Sequence, residues 1–320
     1  MKHSNTFFTK FIVLTLVASI ALWSCKKEES TDPTTTLDQE VTNSSVETAS
    51  EAQEEADKLE SDINEIEKTF SSTINARTTG DTTVTFKRCA SVSITKNTTA
   101  STRTVAIDYG TGCTDSITSG GTLVTITRKG KVTIVYTGKW NALNTVSTTA
   151  FAGYSSTITK NGQTLSRTIS GTRKVTNLSS ITFNSNGLTG TPKFRYENNL
   201  TIELPAIDND RPAATVTYIS DKTKTWSKGF GSFSPFDDEF TVTGTFSGTN
   251  RKGVAYSAEI QEAVTHKTEC WKSSIFMPVS GKVKYTTARG DATVDYGDGT
   301  CDRKVTVVIN GNTYEYDAGQ

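Results

Sequence analysis

The chain has 320 residues, and its 34 Lys plus Arg balance 34 Asp plus Glu, so it carries no overall charge with which to gather nucleic acid. A hydrophobic content of 34% is thin for a globular chain, yet 21% charged residues is too few for a disordered polyelectrolyte. The 58 Thr favour strands, because a β-branched side chain suits a pleated surface, and 2 His, of which His3 lies in the leader, leave no basis for a multi-histidine metal centre.

Lys2 and Lys10 bracket the approach to an apolar run from Phe11 to Leu22 that is short for a membrane span, the pattern of a secretory signal peptide over residues 1–24. The run ends in Leu22-Trp23-Ser24-Cys25, which resembles a bacterial lipobox. That resemblance implies diacylation of Cys25, which becomes the mature N-terminus and takes outer-membrane lipid as its partner. Ordinary cleavage near Ser24, giving a soluble secreted protein, is the other reading. Lys26, Lys27, Glu28 and Glu29 follow, and acidic residues this close behind the Cys resemble the surface-export signals of Bacteroidota lipoproteins. The expected location is the outer membrane, lipid-anchored, with the outward face favoured over the periplasmic one.

Residues 25–45 read as a polar tether behind the lipid. From Val46, the apolar positions Ala49, Ala52, Ala56, Leu59, Ile63, Ile66 and Phe70 recur at steps of three or four, predicting an amphipathic helix over 46–72. Its other faces are acidic, so the expectation is a solvated helix packed by one stripe on the body, with a self-associating coiled coil as the alternative. Residues 26–70 hold 4 basic and 14 acidic side chains, while residues 71–320 hold 28 and 20, so an acidic leader precedes a basic body.

From Thr82 to residue 320 the chain is a succession of short alternating runs, predicting an all-β body of antiparallel sheets, as a sandwich or one large twisted sheet in two related halves. Val132, Ile134 and Tyr136 alternate with polar neighbours, and Lys129-Gly130 reads as a turn folding this run back on Val124-Thr125-Ile126. Asn161-Gly162 and Asn310-Gly311 are strong hairpin signals. Further strands are expected at 164–175, 193–204, 214–219, 240–246, 254–259, 281–287 and 305–309.

A weak internal repeat marks the body. Cys89 is followed by Asp108-Tyr109-Gly110-Thr111-Gly112-Cys113, and Cys270 by Asp295-Tyr296-Gly297-Asp298-Gly299-Thr300-Cys301. With Cys25 acylated, the four remaining Cys allow three pairings, of which Cys89–Cys113 with Cys270–Cys301 is favoured because each closes a local unit. Rings of this length are worth about 3.5 kcal/mol each in the loop-entropy account, which would reinforce a thin core.

These motifs, with Gly171-Thr172-Arg173, Thr225-Trp226 and the segments 130–140 and 237–244, resemble a family of uncharacterised Bacteroidota outer-membrane lipoproteins carrying paired Asp-Tyr-Gly-x-Gly-Cys motifs. The resemblance implies export, anchoring and β architecture, and no activity or cofactor. The chemistry in the chain is equally sparse. Asp295, Asp298 and Asp302 lack the spacing of a Ca²⁺ loop and read as turn caps. Asp208 with Asp210, and Asp237 with Asp238 and Glu239, would suit a carbohydrate hydrolase only if folding brought carboxylates about 5–10 Å apart. His266 lacks any nucleophile-elbow partner. The aromatics Trp140, Tyr154 and Trp226, and above all the Gly-rich run 229–236 with Phe230, Phe233 and Phe236, offer either a sheet-end plug or an exposed binding site. The expected function is a non-enzymatic envelope role, structural or binding a glycan or envelope protein, with a carbohydrate-active hydrolase or glycan-binding module as the alternative.

Overall fold

The computed structural model describes residues 40–53, 56, 82–86, 89–119, 122–138, 142–179, 182–184, 187–209, 211–230, 232, 234, 236–273, 275 and 277–317. The leader, Cys25, Trp140, Phe233 and the helix expected beyond residue 56 lie outside them.

The strands in chain order are β1 (Thr82–Phe86), β2 (Ala90–Asn97), β3 (Thr102–Asp108), β4 (Cys113–Ser119), β5 (Thr122–Tyr136), β6 (Val146–Lys160), β7 (Gln163–Asn177), β8 (Thr182–Asn184) and β9 (Gly187–Thr189). After these come β10 (Lys193–Leu204), β11 (Ala214–Lys228), β12 (Glu239–Thr249), β13 (Ala255–Lys267), β14 (Ser280–Thr287), β15 (Gly290–Asp298), β16 (Lys304–Ile309) and β17 (Asn312–Asp317), with a 3₁₀ turn at Thr268–Ser273 between β13 and β14. Apart from the small β8–β9 hairpin, all belong to one antiparallel sheet of 15 strands that meanders from β1 to β17. β4 alone leaves the path, sharing the edge of β5 with β3. The body is thus one continuous sheet.

Alternation explains the strands. On β10, Leu200, Ile202 and Leu204 are buried while Glu203 faces out, and on β16 Val305, Val307 and Ile309 are buried. The abundant Thr furnishes cross-strand hydroxyl pairs on exposed positions, Thr114 with Thr127 at 2.9 Å and Thr159 with Thr164 at 3.0 Å. Asn161-Gly162 and Asn310-Gly311 close the β6–β7 and β16–β17 hairpins with all four residues at positive φ, the geometry of a type I′ turn.

Lys129-Gly130 does not turn the chain. It is a bulge inside the 15-residue β5, where pairing with β6 shifts between Lys129 and Lys131. Gly130 has φ +82, and a Cβ there would overlap the Gly153 carbonyl, so the glycine permits close backbone approach in place of a reversal. The run therefore returns on β6, not on its own first half.

The helix also departs from expectation. It spans residues 40–53, with residue 56 helical too, so its first turns occupy positions 40–45 assigned above to the tether. Val41, Thr42 and Ser45 are buried, and Asn250 in the β12–β13 turn donates to the Val41 carbonyl at 3.3 Å and to Ser45 Oγ at 3.1 Å. These side-chain contacts fix turns that the polar composition alone did not reveal. The expected stripe is buried at Val46, Ala49, Ala52 and Ala56, yet Thr48 is buried as well, and only Glu40 and Ser50 are exposed among the described helical residues. The helix is enclosed by the body instead of lying solvated on it.

It runs along β11. Glu40 pairs with Lys252 at 3.4 Å beside the β12–β13 turn, whereas Gln53 bonds Tyr218 and Lys222 well inside β11. Arg251 anchors its middle: Nε donates to Glu51 at 3.0 Å, and Nη1 to the Pro205 and Pro212 carbonyls at 2.9 and 2.6 Å. One apolar cluster then extends from Ala90 and Val92 on β2 to Val305, Val307 and Ile309 on β16.

Kinks inside strands bend this sheet. Gly171 sits in β7 at φ +111, where a Cβ would overlap the Asn199 carbonyl on β10. Gly171→Ala is expected to lower the unfolding free energy by about 2 kcal/mol or more, through backbone strain and a forced separation of β7 from β10. Urea denaturation of the variant beside the parent chain measures it.

Candidate functional site

Strand direction sorts the loops into two ends. At one end lie the β10–β11 loop (205–213), the β12–β13 turn (250–254) and the start of the helix; at the other lie the β11–β12 loop (229–238) and the 3₁₀ turn. The 15 residues of β11 separate them by about 48 Å. The Gly-Phe loop is therefore remote from the place where the helix joins the body.

The aromatic residues converge at the far end through register. Trp226 on β11 stands opposite Phe240 on β12, which stands opposite His266 on β13. The Trp226 ring lies 5.1 Å from that of Phe240, and Phe230 from the loop meets it edge-on at 4.9 Å. Lys224 Nζ stands over the Phe240 ring, 5.0 Å from its centroid. Trp226, Phe230 and Phe236 are each half-buried, so this loop is neither a sealed plug nor a free flap.

Its neck is narrow. At Gly229, φ +82, a Cβ would collide with the Asp238 carboxylate and the Asp237 carbonyl. Asp238 is buried and accepts from Trp226 Nε1 at 3.0 Å. Its backbone is clasped by Thr268: Asp238 N donates to Thr268 Oγ1 at 3.0 Å, and Thr268 N donates back to the Asp238 carbonyl at 3.0 Å. Within the loop, Ser232 Oγ donates to Asp237 at 2.8 Å and Ser232 N to the Gly229 carbonyl at 3.0 Å. Gly229 was visible as the first residue of the Gly-rich run, though not its tight fit against Asp238, while Thr268 escaped the sequence reading because its clasp crosses 30 residues.

The disulfide Cys270–Cys301 follows two residues after Thr268 and ties the 3₁₀ turn to the β15–β16 loop, as Cys89–Cys113 ties the start of β2 to that of β4. Glu269 approaches Cys270 and Cys301, but both sulfurs are consumed in that bond and offer no thiolate to a metal. In both repeat units the Asp closes the same turn: Asp108 accepts from Gly110 N at 2.8 Å and Asp295 from Gly297 N at 2.9 Å. Asp298 accepts from Thr300 N and Oγ1, which holds its carboxyl below the usual range, and Asp302 accepts from Lys304 N. These carboxylates are turn caps.

Asp208 does not meet the second acidic cluster, and Asp210 lies outside the described residues. Asp208 lies at the helix end, held by Arg211, and Asp237, Asp238 and Glu239 lie at the other end of β11. A gap of about 48 Å far exceeds the separation that paired glycosidase carboxylates need. Glu239 is moreover paired with Lys228 at 3.0 Å. Tyr154, considered as part of an aromatic platform, is buried in the core against Tyr109 and Phe151.

Burial pushes the Asp238 carboxyl up to about 6, with neighbouring Asp237 adding to the rise and the Trp226 bond opposing it. The folded value lies above the unfolded one, so ionisation costs stability as pH rises from 3.8 through about 6, and below that window the cost is absent. Asp238→Asn is expected to flatten this dependence and, while keeping an acceptor for Trp226, to raise stability at pH 7.5 by about 1–2 kcal/mol after screening by water at the loop. Thermal melts of both proteins at pH 4.5 and 7.5 check it.

Comparison with protein-family models, with curated proteins and with solved structures found no match to this chain.

Proposed function

We propose that this chain is a lipid-anchored cell-envelope protein of the outer membrane, facing outward, that works by binding through its Gly-Phe loop and not by catalysis. The observation that carries the binding reading is the pinned loop: Phe230 is held edge-on to Trp226 while Gly229, Asp238 and Thr268 fasten both flanks. An aromatic surface fixed in advance loses little conformational freedom on meeting a ligand. Half-buried rings bordered by the Ser232–Asp237 pair and by Lys228 offer apolar faces next to hydrogen-bonding groups, a combination suited to a glycan.

Export is supported by the leader sequence and by the pairing of all four body cysteines, since disulfides persist in oxidising compartments. The anchor rests on Cys25, and the resemblance of the paired motifs to Bacteroidota lipoproteins points the same way. A hydrolase finds no support in the separation of the acidic clusters.

Cys25→Ser is expected to move the protein from the membrane to the soluble fraction on cell fractionation, because the acyl chains supply its attachment; unchanged membrane association would defeat the anchor. The same soluble chain is the probe for a glycan array. Phe230→Ser in that background should weaken glycan binding at least tenfold while costing about 1–2 kcal/mol of stability, as befits a half-buried ring. Binding untouched by this change would place the ligand elsewhere.

A further inference from the structure

We infer that in the anchored protein the bilayer lies at the helix-start end of the body, so that the Gly-Phe loop is presented away from the anchoring membrane to a partner in the surrounding compartment. This rests on acylation of Cys25, proposed above. Position 40 is fixed at that end by the β12–β13 turn: Lys252 pairs with Glu40 at 3.4 Å, and Asn250 donates to the Val41 carbonyl and to Ser45. Arg251, itself donating to the Pro205 and Pro212 carbonyls of the β10–β11 loop, then holds Glu51, and Gln53 bonds Tyr218 and Lys222 on β11. The chain thus joins the body at the end opposite the Trp226–Phe230 cluster.

Lengths decide the consequence. Fourteen residues, 26–39, lie between the acylated Cys and position 40. Fully extended, a chain of that length reaches about 50 Å at most. The loop sits about 48 Å farther along β11. The helix-start end is accordingly held within that reach of the headgroups, and in an upright body the loop stands about 48 Å farther from them. Aromatic rings at a membrane-proximal end would suit insertion into the interface, whereas rings at the distal end suit a ligand that approaches from outside.

Energy transfer to an acceptor lipid in reconstituted vesicles tests this with the full lipidated chain. One donor is placed at Arg289→Cys, in the exposed β14–β15 turn at the helix-start end, and another at Ser234→Cys, exposed in the Gly-Phe loop. Transfer from the Arg289→Cys label is expected to exceed that from the Ser234→Cys label several-fold. Equal transfer, or more from the loop label, overturns the orientation. Vesicle flotation of the same chain separates the two claims: failure to float refutes acylation at Cys25, and the orientation is then read by the same two labels on protein given a synthetic acyl chain at residue 25.

Discussion

A sheet of 15 strands has an apolar face too large for the other sheet among the described residues, the two-stranded β8–β9 hairpin, to cover. Fourteen strands lie along the hydrogen-bonded path, which at normal spacing makes a surface about 60 Å wide, while a helix is only about 10 Å across. Burial of that face from β2 to β16 in one cluster therefore demands that the sheet bend around its contents. Strand bulges and the internal glycines provide the bend, and the N-terminal helix fills the inside with small residues, Ala49, Ala52 and Ala56, that allow close approach. The polar groups that the helix carries into this enclosure are met by Arg251, Asn250, Tyr218 and Lys222. Loss of the Arg251 side chain would leave Glu51 and two carbonyls without their partner in a dry site.

The two cysteine units show how one local device serves different surroundings. In each, an Asp accepts from the glycine two residues on, the Tyr between them packs toward the core, and the following Cys closes a disulfide to the strand pair before it. After the first motif, β4 and the first half of β5 form an extra hairpin before β5 pairs with β3, with Asp108 opposite Lys131. After the second, the chain turns at once and Asp295 stands opposite Thr306 on β16. The turn chemistry is the same while the excursion between strands differs, so the repeat is structural at the motif and divergent in the sheet.

The second disulfide also bears on the candidate site. It fastens the 3₁₀ turn that begins at Thr268, and Thr268 holds the backbone of Asp238. Trp226 is thereby linked to the β15–β16 loop through a short series of directional contacts, and the aromatic surface inherits rigidity from a covalent bond. Lys267, donating to the Gly299 carbonyl at 2.8 Å, adds a second tie between the same segments.

Several features were legible in the residues themselves because their causes are local. Alternation marked β7, β10 and β16, the Asn-Gly pairs marked two type I′ turns, and the spacing of the four body cysteines marked units that each close on themselves. The identity of the Gly-Phe run as something out of the ordinary was also visible in composition. Long-range pairing decided the rest. Lys129-Gly130 has the composition of a turn, and only the approach of Gly153 from β6 makes it a bulge. Residues 40–45 have the polarity of a tether, and Asn250, more than 200 positions away, makes them helix. The acidic pairs around Asp208 and Asp237 look interchangeable in the sequence, but the length of β11 puts them at opposite ends of the body. A side chain's type limits what it can do nearby, and the partner that arrives from a distant strand determines which of those possibilities is realised.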